Sequence, residues 1–173
     1  MTTASSCPAP LPPALPGPAY SVRSAREEDA AELAELSRPF VRSGALRERP
    51  VSLYAAHAAD FLVAQDPSGR IEGSVGLRVH PAGPGEARGP VGVLYNFCVA
   101  GHRQGCGVGA GLLRAALAMA HARSLGALFT ATTGGGGLFL RYGFAPTAVR
   151  RAPASWVRSM DPRRDTRILT KSL

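Results

Sequence analysis

The chain has 173 residues, of which 45% are hydrophobic and 18% charged, and its formal net charge is +8. That length supports one core of ordinary size and leaves no room for a second full domain. Basic residues are scattered, with doublets only at Arg150-Arg151 and Arg163-Arg164, so the charge does not read as a nucleic-acid-binding arm, and no apolar run is long enough to span a bilayer.

Residues 1–18, Met1 to Pro18, are dominated by Pro, Ala, Ser and Thr and predict a disordered leader, without the basic and apolar regions of a signal peptide. A cytoplasmic protein with one domain over 19–173 is expected. Tyr20 to Arg23 predicts a strand. Arg26-Glu-Glu-Asp29 then opens a helix from Ala30 to Leu36, its acids at the positive end of the dipole. Arg38 to Arg49 reads as a basic connection, and Ser52 to Ala59 as a second helix with Leu53 and Ala56 inward. Phe61 to Gln65 and Ile71 to Val79 predict an antiparallel hairpin across the turn Asp66-Pro-Ser-Gly69, and His80 to Pro90 a loop.

Val91 to Val99 is nearly continuously apolar, as in a strand buried on both faces. After a turn from Ala100 to Cys106, the positions Val108, Leu112, Ala116 and Met119 keep helical spacing to about Ser124. Ala127 to Thr132 follows as a strand, Gly134 to Gly137 as a turn, and Leu138 to Tyr142 as a short helix stopped by Gly143. Phe144 to Val149 and Arg167 to Lys171 close the chain as strands. This order predicts an α/β fold with a mixed, mostly antiparallel sheet, in which Val91–Val99 and Ala127–Thr132 are parallel neighbours.

The most informative stretch is Gly101-His-Arg-Gln-Gly-Cys-Gly-Val-Gly-Ala-Gly-Leu-Leu113. Glycines between a buried strand and a helix leave unpaired amides and the positive dipole end facing outward, a cradle for phosphate. A dinucleotide fold would need an acidic residue about 20 positions on, and the following helix has none. A triphosphatase loop would need Gly-Lys-Ser/Thr, and Lys171 is the only lysine. Between Glu86 and Asp161 there is no Asp or Glu at all, so this half of the chain suits a polyanion. Cys7, Cys98 and Cys106 form neither a CxxC pair nor an even framework, so neither disulfides nor a metal site are expected, and Cys98 reads as a small buried hydrophobe.

Gln104-x-x-Gly107-x-Gly109, preceded by Arg103, resembles the pyrophosphate loop of the GNAT superfamily of coenzyme A dependent acyltransferases. The resemblance implies acetyl-CoA as cofactor, gripped by Arg103, Gln104, Gly105, Cys106, Gly107, Val108, Gly109 and Ala110. It also implies a sheet whose central parallel strands splay, with pantetheine bonding the backbone of Phe97, Cys98 and Val99. Many relatives carry a glutamate base early in the central strand, where this chain has Val93. Many also carry a tyrosine acid four positions before the glycine of a Gly-Phe pair, where this chain has Phe139. The titratable groups left for proton transfer are His80, whose ordinary pKa suits a base, and Tyr142; a water relayed through backbone carbonyls is the alternative.

From Tyr20 to Leu173 the chain is similar to the acetyltransferase domain of amino-acid N-acetyltransferases, the glutamate acetylators of arginine biosynthesis. Arg38-Pro-Phe-Val-Arg-Ser-Gly-Ala-Leu-Arg-Glu-Arg49 and Arg163-Arg164-Asp165-Thr166-Arg167-Ile168-Leu169 carry that similarity. It implies that Arg47 or Arg49, and Arg164 with Thr166, hold the carboxylates of the acceptor, a use that matches arginine's planar fork. The expected activity is acetyl transfer to the α-amine of an amino acid such as glutamate. Its expected partner is that small molecule, not a nucleic acid or a membrane, with homodimerisation open. Another small amine or toxin as acceptor, or a non-catalytic acyl-CoA-binding regulatory module, are the alternatives.

Overall fold

The computed structural model describes residues 20–81 and 89–173. The expected leader, Cys7 and most of the loop between His80 and Pro90 lie outside the described residues. The elements in chain order are β1 (Ser21–Ser24), α1 (Ala30–Arg42), α2 (Val51–Ala56), β2 (Phe61–Gln65), β3 (Ile71–His80) and β4 (Val91–Val99). After them come α3 (Val108–Ala122), β5 (Ala127–Thr132), α4 (Gly137–Arg141), β6 (Ala145–Pro146), α5 (Ala154–Ser159) and β7 (Arg167–Ser172).

One seven-stranded sheet runs in the order β1-β2-β3-β4-β5-β7-β6. Every pairing is antiparallel except β4 with β5. A right-handed crossover through α3 is the connection such a parallel pair requires. Alternation along the strands sorts side chains between two faces. Leu62, Ala64, Val75, Leu77, Leu94 and Leu128 pack under α3 with Val108, Leu112, Leu113, Ala116 and Ala120. The interleaved Phe61, Val63 and Ile71 pack on the opposite side with Ala30, Leu33 and Tyr54 from α1 and α2. Farther along the sheet, Val91, Val93, Phe129 and Ile168 are covered by Ala152 and by Trp156, Val157 and Met160 around α5. α1–α2 and α5 thus meet different parts of the sheet and leave a gap between them over Tyr95 to Phe97 of β4.

Three local departures from the sequence reading have physical causes. α1 runs on to Arg42, through Pro39, instead of giving way to a connection at Arg38. Proline removes one donor and crowds the preceding turn, yet the ladder resumes after it, its carbonyl accepting from Ser43 N at 3.1 Å. The strand expected over Phe144 to Val149 shrinks to Ala145–Pro146, because Pro146 brings no N–H to a ladder and the chain then turns at Val149–Arg151. α5 was not expected. Six residues after Pro153 are too few for a periodic signal, and its helix is fixed by packing over β4 and β5.

Candidate active site

β4 and β5 are paired only from Val91↔Ala127 to Leu94↔Thr130. Beyond Leu94 the strands part. The cause sits in β4 itself, where Asn96 takes a left-handed φ of 50° and the register against β3 shifts between Ser74 and Gly76. Such a bulge costs a non-glycine residue of order 1–3 kcal/mol and needs support. A buried cluster supplies it: Asn96 Nδ2 and the Tyr54 hydroxyl each donate to Ser37 Oγ at 3.0 Å, and Ser37 donates to Leu33 O at 2.8 Å.

A cavity of about 640 Å³ opens at this parting. Its walls include Val93, Tyr95, Asn96 and Phe97 of β4, Thr130 and Thr132 of β5, Arg78 and His80 of β3, and Phe139 of α4. Two arms close it from above, one after α1 and one around α5. Arg47 Nη1 donates to Ser159 O at 2.6 Å, and Arg164 donates across to Gly44 O, so each arm holds the other. Arg47, Arg49, Arg164 and Thr166 all line this one cavity. Arg78 and Tyr95, also on the wall, drew no attention in the sequence because neither belongs to a motif.

The four arginines of the cavity differ in their engagements. Arg78 is paired with Asp60 through Nε and Nη2 at 3.2 and 3.1 Å. Arg47 and Arg164 each spend one donor on the opposite arm. Arg49 makes no hydrogen bond or ion pair among the described residues, its Nε is buried without a partner, and its guanidinium lies 5.2 Å from the Tyr95 ring centroid. Burial disfavours the Arg49 charge, with the nearby tyrosines Tyr95 and Tyr54 opposing that effect. Tyr95 donates to Asp60 Oδ2 at 3.0 Å, and burial, reinforced by that carboxylate, holds its hydroxyl well above the usual phenol range.

His80 ends β3, half-buried, with Nδ1 3.1 Å from Ser155 Oγ of α5. Burial and then the charge of Arg78 push its pKa below the usual imidazole value. Tyr142 is not on the cavity wall; its ring packs on the α3 side of the sheet and its hydroxyl accepts from Arg114 Nη1 at 3.1 Å. Phe139, on the wall, stacks edge-on with Phe97 and Phe144 at 5.5 Å and carries no proton. Cys98 is buried beside Ser74 and Ser37, and burial pushes its thiol up, away from a nucleophilic thiolate. Cys106 is exposed, and both described cysteines are free.

At the carboxyl end of β4 the chain turns through Gly101–Arg103 and enters α3 from Gly107. Gly105 and Gly107 sit at φ of 76° and 85°, and a Cβ at either would meet nothing within 4 Å. The first bond of the helix runs from Gly111 N to Gly107 O at 2.9 Å, so the amides of Val108, Gly109 and Ala110 precede the ladder and point out of its N-terminus. This open, amide-lined cradle fits a diphosphate. The Gln104 side chain donates to Val99 O at 3.1 Å and closes the turn. No group of three or more metal-ligating side chains occurs among the described residues, and none of their helices is long and apolar enough to cross a membrane.

An open, amide-lined turn at a helix N-terminus thus stands beside a parting between the two parallel strands of a mostly antiparallel sheet. The acetyltransferase (GNAT) family model matches residues 28–144, and the chain belongs to that family of acetyl-CoA-dependent N-acetyltransferases. No curated protein matches it. Among solved structures it is similar to N-acetylglutamate synthase from Neisseria gonorrhoeae complexed with coenzyme A and N-acetyl-glutamate, at 25% identity and a TM-score of 0.78 over 89% of this chain and 35% of that one. It spans only that 35% of the synthase's length. A Mycobacterium tuberculosis protein solved with coenzyme A shares the fold at 21% identity and a TM-score of 0.73, over 88% of this chain and 99% of that one. A GNAT-family acetyltransferase from Staphylococcus aureus shares it at 15% identity and a TM-score of 0.71, over 90% and 99%.

Proposed function

We propose that the chain moves the acetyl group of acetyl-CoA to the α-amine of an amino acid, with glutamate as the leading acceptor. The observation that carries this reading is Arg49, a half-buried guanidinium that faces the cavity with no anion of its own. A half-buried cation without an anion carries an uncompensated desolvation cost, and a carboxylate arriving in its plane would relieve that cost through two parallel bonds. Three further arginines share the wall; Arg78 is already matched by Asp60, and the one carboxylate on the wall, Asp161, accepts from Arg163 N at 3.0 Å through Oδ1, so the arginines still outnumber the carboxylates. That balance favours an acceptor with more than one negative charge.

Acetyl-CoA supplies the activated thioester. The cradle at Gly105–Ala110 would hold its diphosphate through main-chain amides, with Arg103 beside it. The unpaired edge of β4 from Tyr95 to Val99, including Phe97 and Cys98, would align its pantetheine arm along the parting. Arg49, with Arg47, Arg164 and the Thr166 hydroxyl, would then fix the acceptor's carboxylates so that its amine meets the acetyl carbon, the positioning that converts a bimolecular encounter into an oriented one. A free small molecule is the acceptor this geometry suits.

Release of free thiol from acetyl-CoA against a panel of amino acids and simple amines tests the reading. Glutamate is expected to give the highest kcat/KM, and preference for an amine without a carboxylate would remove the acceptor from the account. Val93 and Phe139 on the wall favour one second reading, a regulatory module that binds acyl-CoA without turnover. Such a module would gain about 2.7 kcal/mol of stability at about 100 times Kd of acetyl-CoA and release no thiol.

A further inference from the structure

Transfer to an amine has a requirement that the cavity must meet from its own side chains. An amino acid arrives as an ammonium ion, and its nitrogen attacks only after losing a proton. Neither Val93 nor Phe139 can accept one. Tyr95 is held in its protonated form between Asp60 and Arg78. Asp161 sits on the α5 arm with its carboxylate turned to the backbone of Arg163.

His80 remains. It is the last residue of β3, paired with Val91, so it stands on the strand beside β4 two positions beyond Arg78, the partner of Val93. Its ring shares the cavity with Val93 and Tyr95. Ser155, reaching down from α5, holds Nδ1 at 3.1 Å. If Nδ1–H donates to that hydroxyl, Nε2 is left as the ring's free acceptor. The charged groups around the cavity are Arg78 on the same strand with its partner Asp60, Arg47 and Arg49 on the arm after α1, and Arg164 with Asp161 on the α5 arm. Their balance is positive, which keeps an imidazole neutral and therefore able to take a proton.

We infer that His80, oriented by Ser155, is the base that removes the ammonium proton of the acceptor. One proton passes to the imidazole. The freed nitrogen pair then bonds to the acetyl carbon as the carbon–sulfur bond breaks, and its electrons leave with sulfur. The nitrogen's second surplus proton goes to that sulfur, giving a free thiol and an amide, and His80 returns its proton to solvent. This inference rests on the acetyl-transfer reading but not on glutamate as the acceptor.

The test uses the full chain, acetyl-CoA and whichever amine the wild type turns over fastest, and measures kcat against pH together with the melting shift given by acetyl-CoA. In the wild type kcat should rise with pH through an acid limb below the usual imidazole range. His80→Gln should lower kcat about 10²-fold and abolish that limb while the acetyl-CoA shift persists. His80→Ala should regain turnover with added imidazole. Ser155→Ala, which leaves the ring in place but unheld, should lower kcat several-fold. Turnover of His80→Gln within about three-fold of wild type, an unaltered acid limb, or no response of His80→Ala to imidazole overturns the assignment. If His80→Gln does not fold, an unchanged kcat and limb in Ser155→Ala overturns it instead. A wild type that prefers an amine lacking carboxylates defeats the acceptor reading and leaves this test intact, whereas one that releases no thiol with any amine defeats both.

Discussion

The hydroxyl of Tyr20 donates to the carbonyl of Gly107 across 2.9 Å, joining the residue before the first strand to the turn that opens α3. Gly111 makes this possible, since a Cβ there would run into the Tyr20 ring. The amide-lined turn is therefore braced from a segment 87 residues away in sequence. A hydrogen bond of this kind is worth about 1 kcal/mol, so Tyr20→Phe should raise KM for acetyl-CoA about five-fold. KM for the amine should stay near wild type, and the melting temperature should fall by about 2–4 °C. Steady-state kinetics with each substrate varied in turn checks the split.

Asn96 carries the strain that parts β4 from β5. Asn96→Gly keeps the left-handed backbone but removes the bond to Ser37, and should cost about 1–2 kcal/mol in denaturant unfolding. Asn96→Val adds a β-branched side chain where φ is positive, and should cost about 3 kcal/mol or more. Equal losses for the two would show that the backbone at Asn96 is not where the strain lies.

Most of the sheet was legible because its signals are local. Phe61–Gln65, Val91–Val99 and Ala127–Thr132 have the limits that their apolar patterns suggested. The glycine run was legible for a related reason: two positive φ angles at the mouth of a helix leave a compositional mark. The cavity was legible only in part. Arg47, Arg49, Arg164 and Thr166 came from motif resemblance, and they converge because the arms after α1 and around α5 clasp through Arg47–Ser159 and Arg164–Gly44. Arg78, Tyr95 and Asp60 form their cluster by strand pairing and by the close approach at Gly76, which no spacing within one segment announces.

Gly76 lies under the Tyr95 ring, where an added Cβ would come within 2.6 Å of Cε1 and Cζ. Gly76→Ala should therefore tilt the ring that Arg49 rests on, at an overpacking cost of about 1–3 kcal/mol. KM for the amino acid is expected to rise about ten-fold, with KM for acetyl-CoA within about two-fold. A rise confined to acetyl-CoA would contradict the placement of Arg49 against the acceptor.

Asp29 accepts a two-pronged pair from Arg23 at 2.7 and 2.9 Å and the amide of Arg26 at 2.7 Å. The Arg23 hydrogen bonds, before any other cause, hold its pKa below the ordinary carboxylate value. A depressed carboxylate stabilises the fold at pH above its unfolded pKa, and that contribution fades as pH falls through the folded one. Asp29→Asn should accordingly be less stable than wild type at pH 7, and the difference should shrink below about pH 4. Urea unfolding of both proteins across pH 3 to 7 measures it; a gap that does not change with pH would contradict the pairing.

The central claim is that Arg49 reads a carboxylate on the acceptor. The direct measurement is kcat/KM for glutamate and for the matching amine that lacks its α-carboxylate, in wild type and in Arg49→Met. Wild type should prefer glutamate by about 10²-fold or more, as loss of a charge pair implies, and Arg49→Met should cut that preference to within a few-fold while acetyl-CoA binding is unchanged. A preference that survives Arg49→Met intact, or its absence in the wild type, would contradict it.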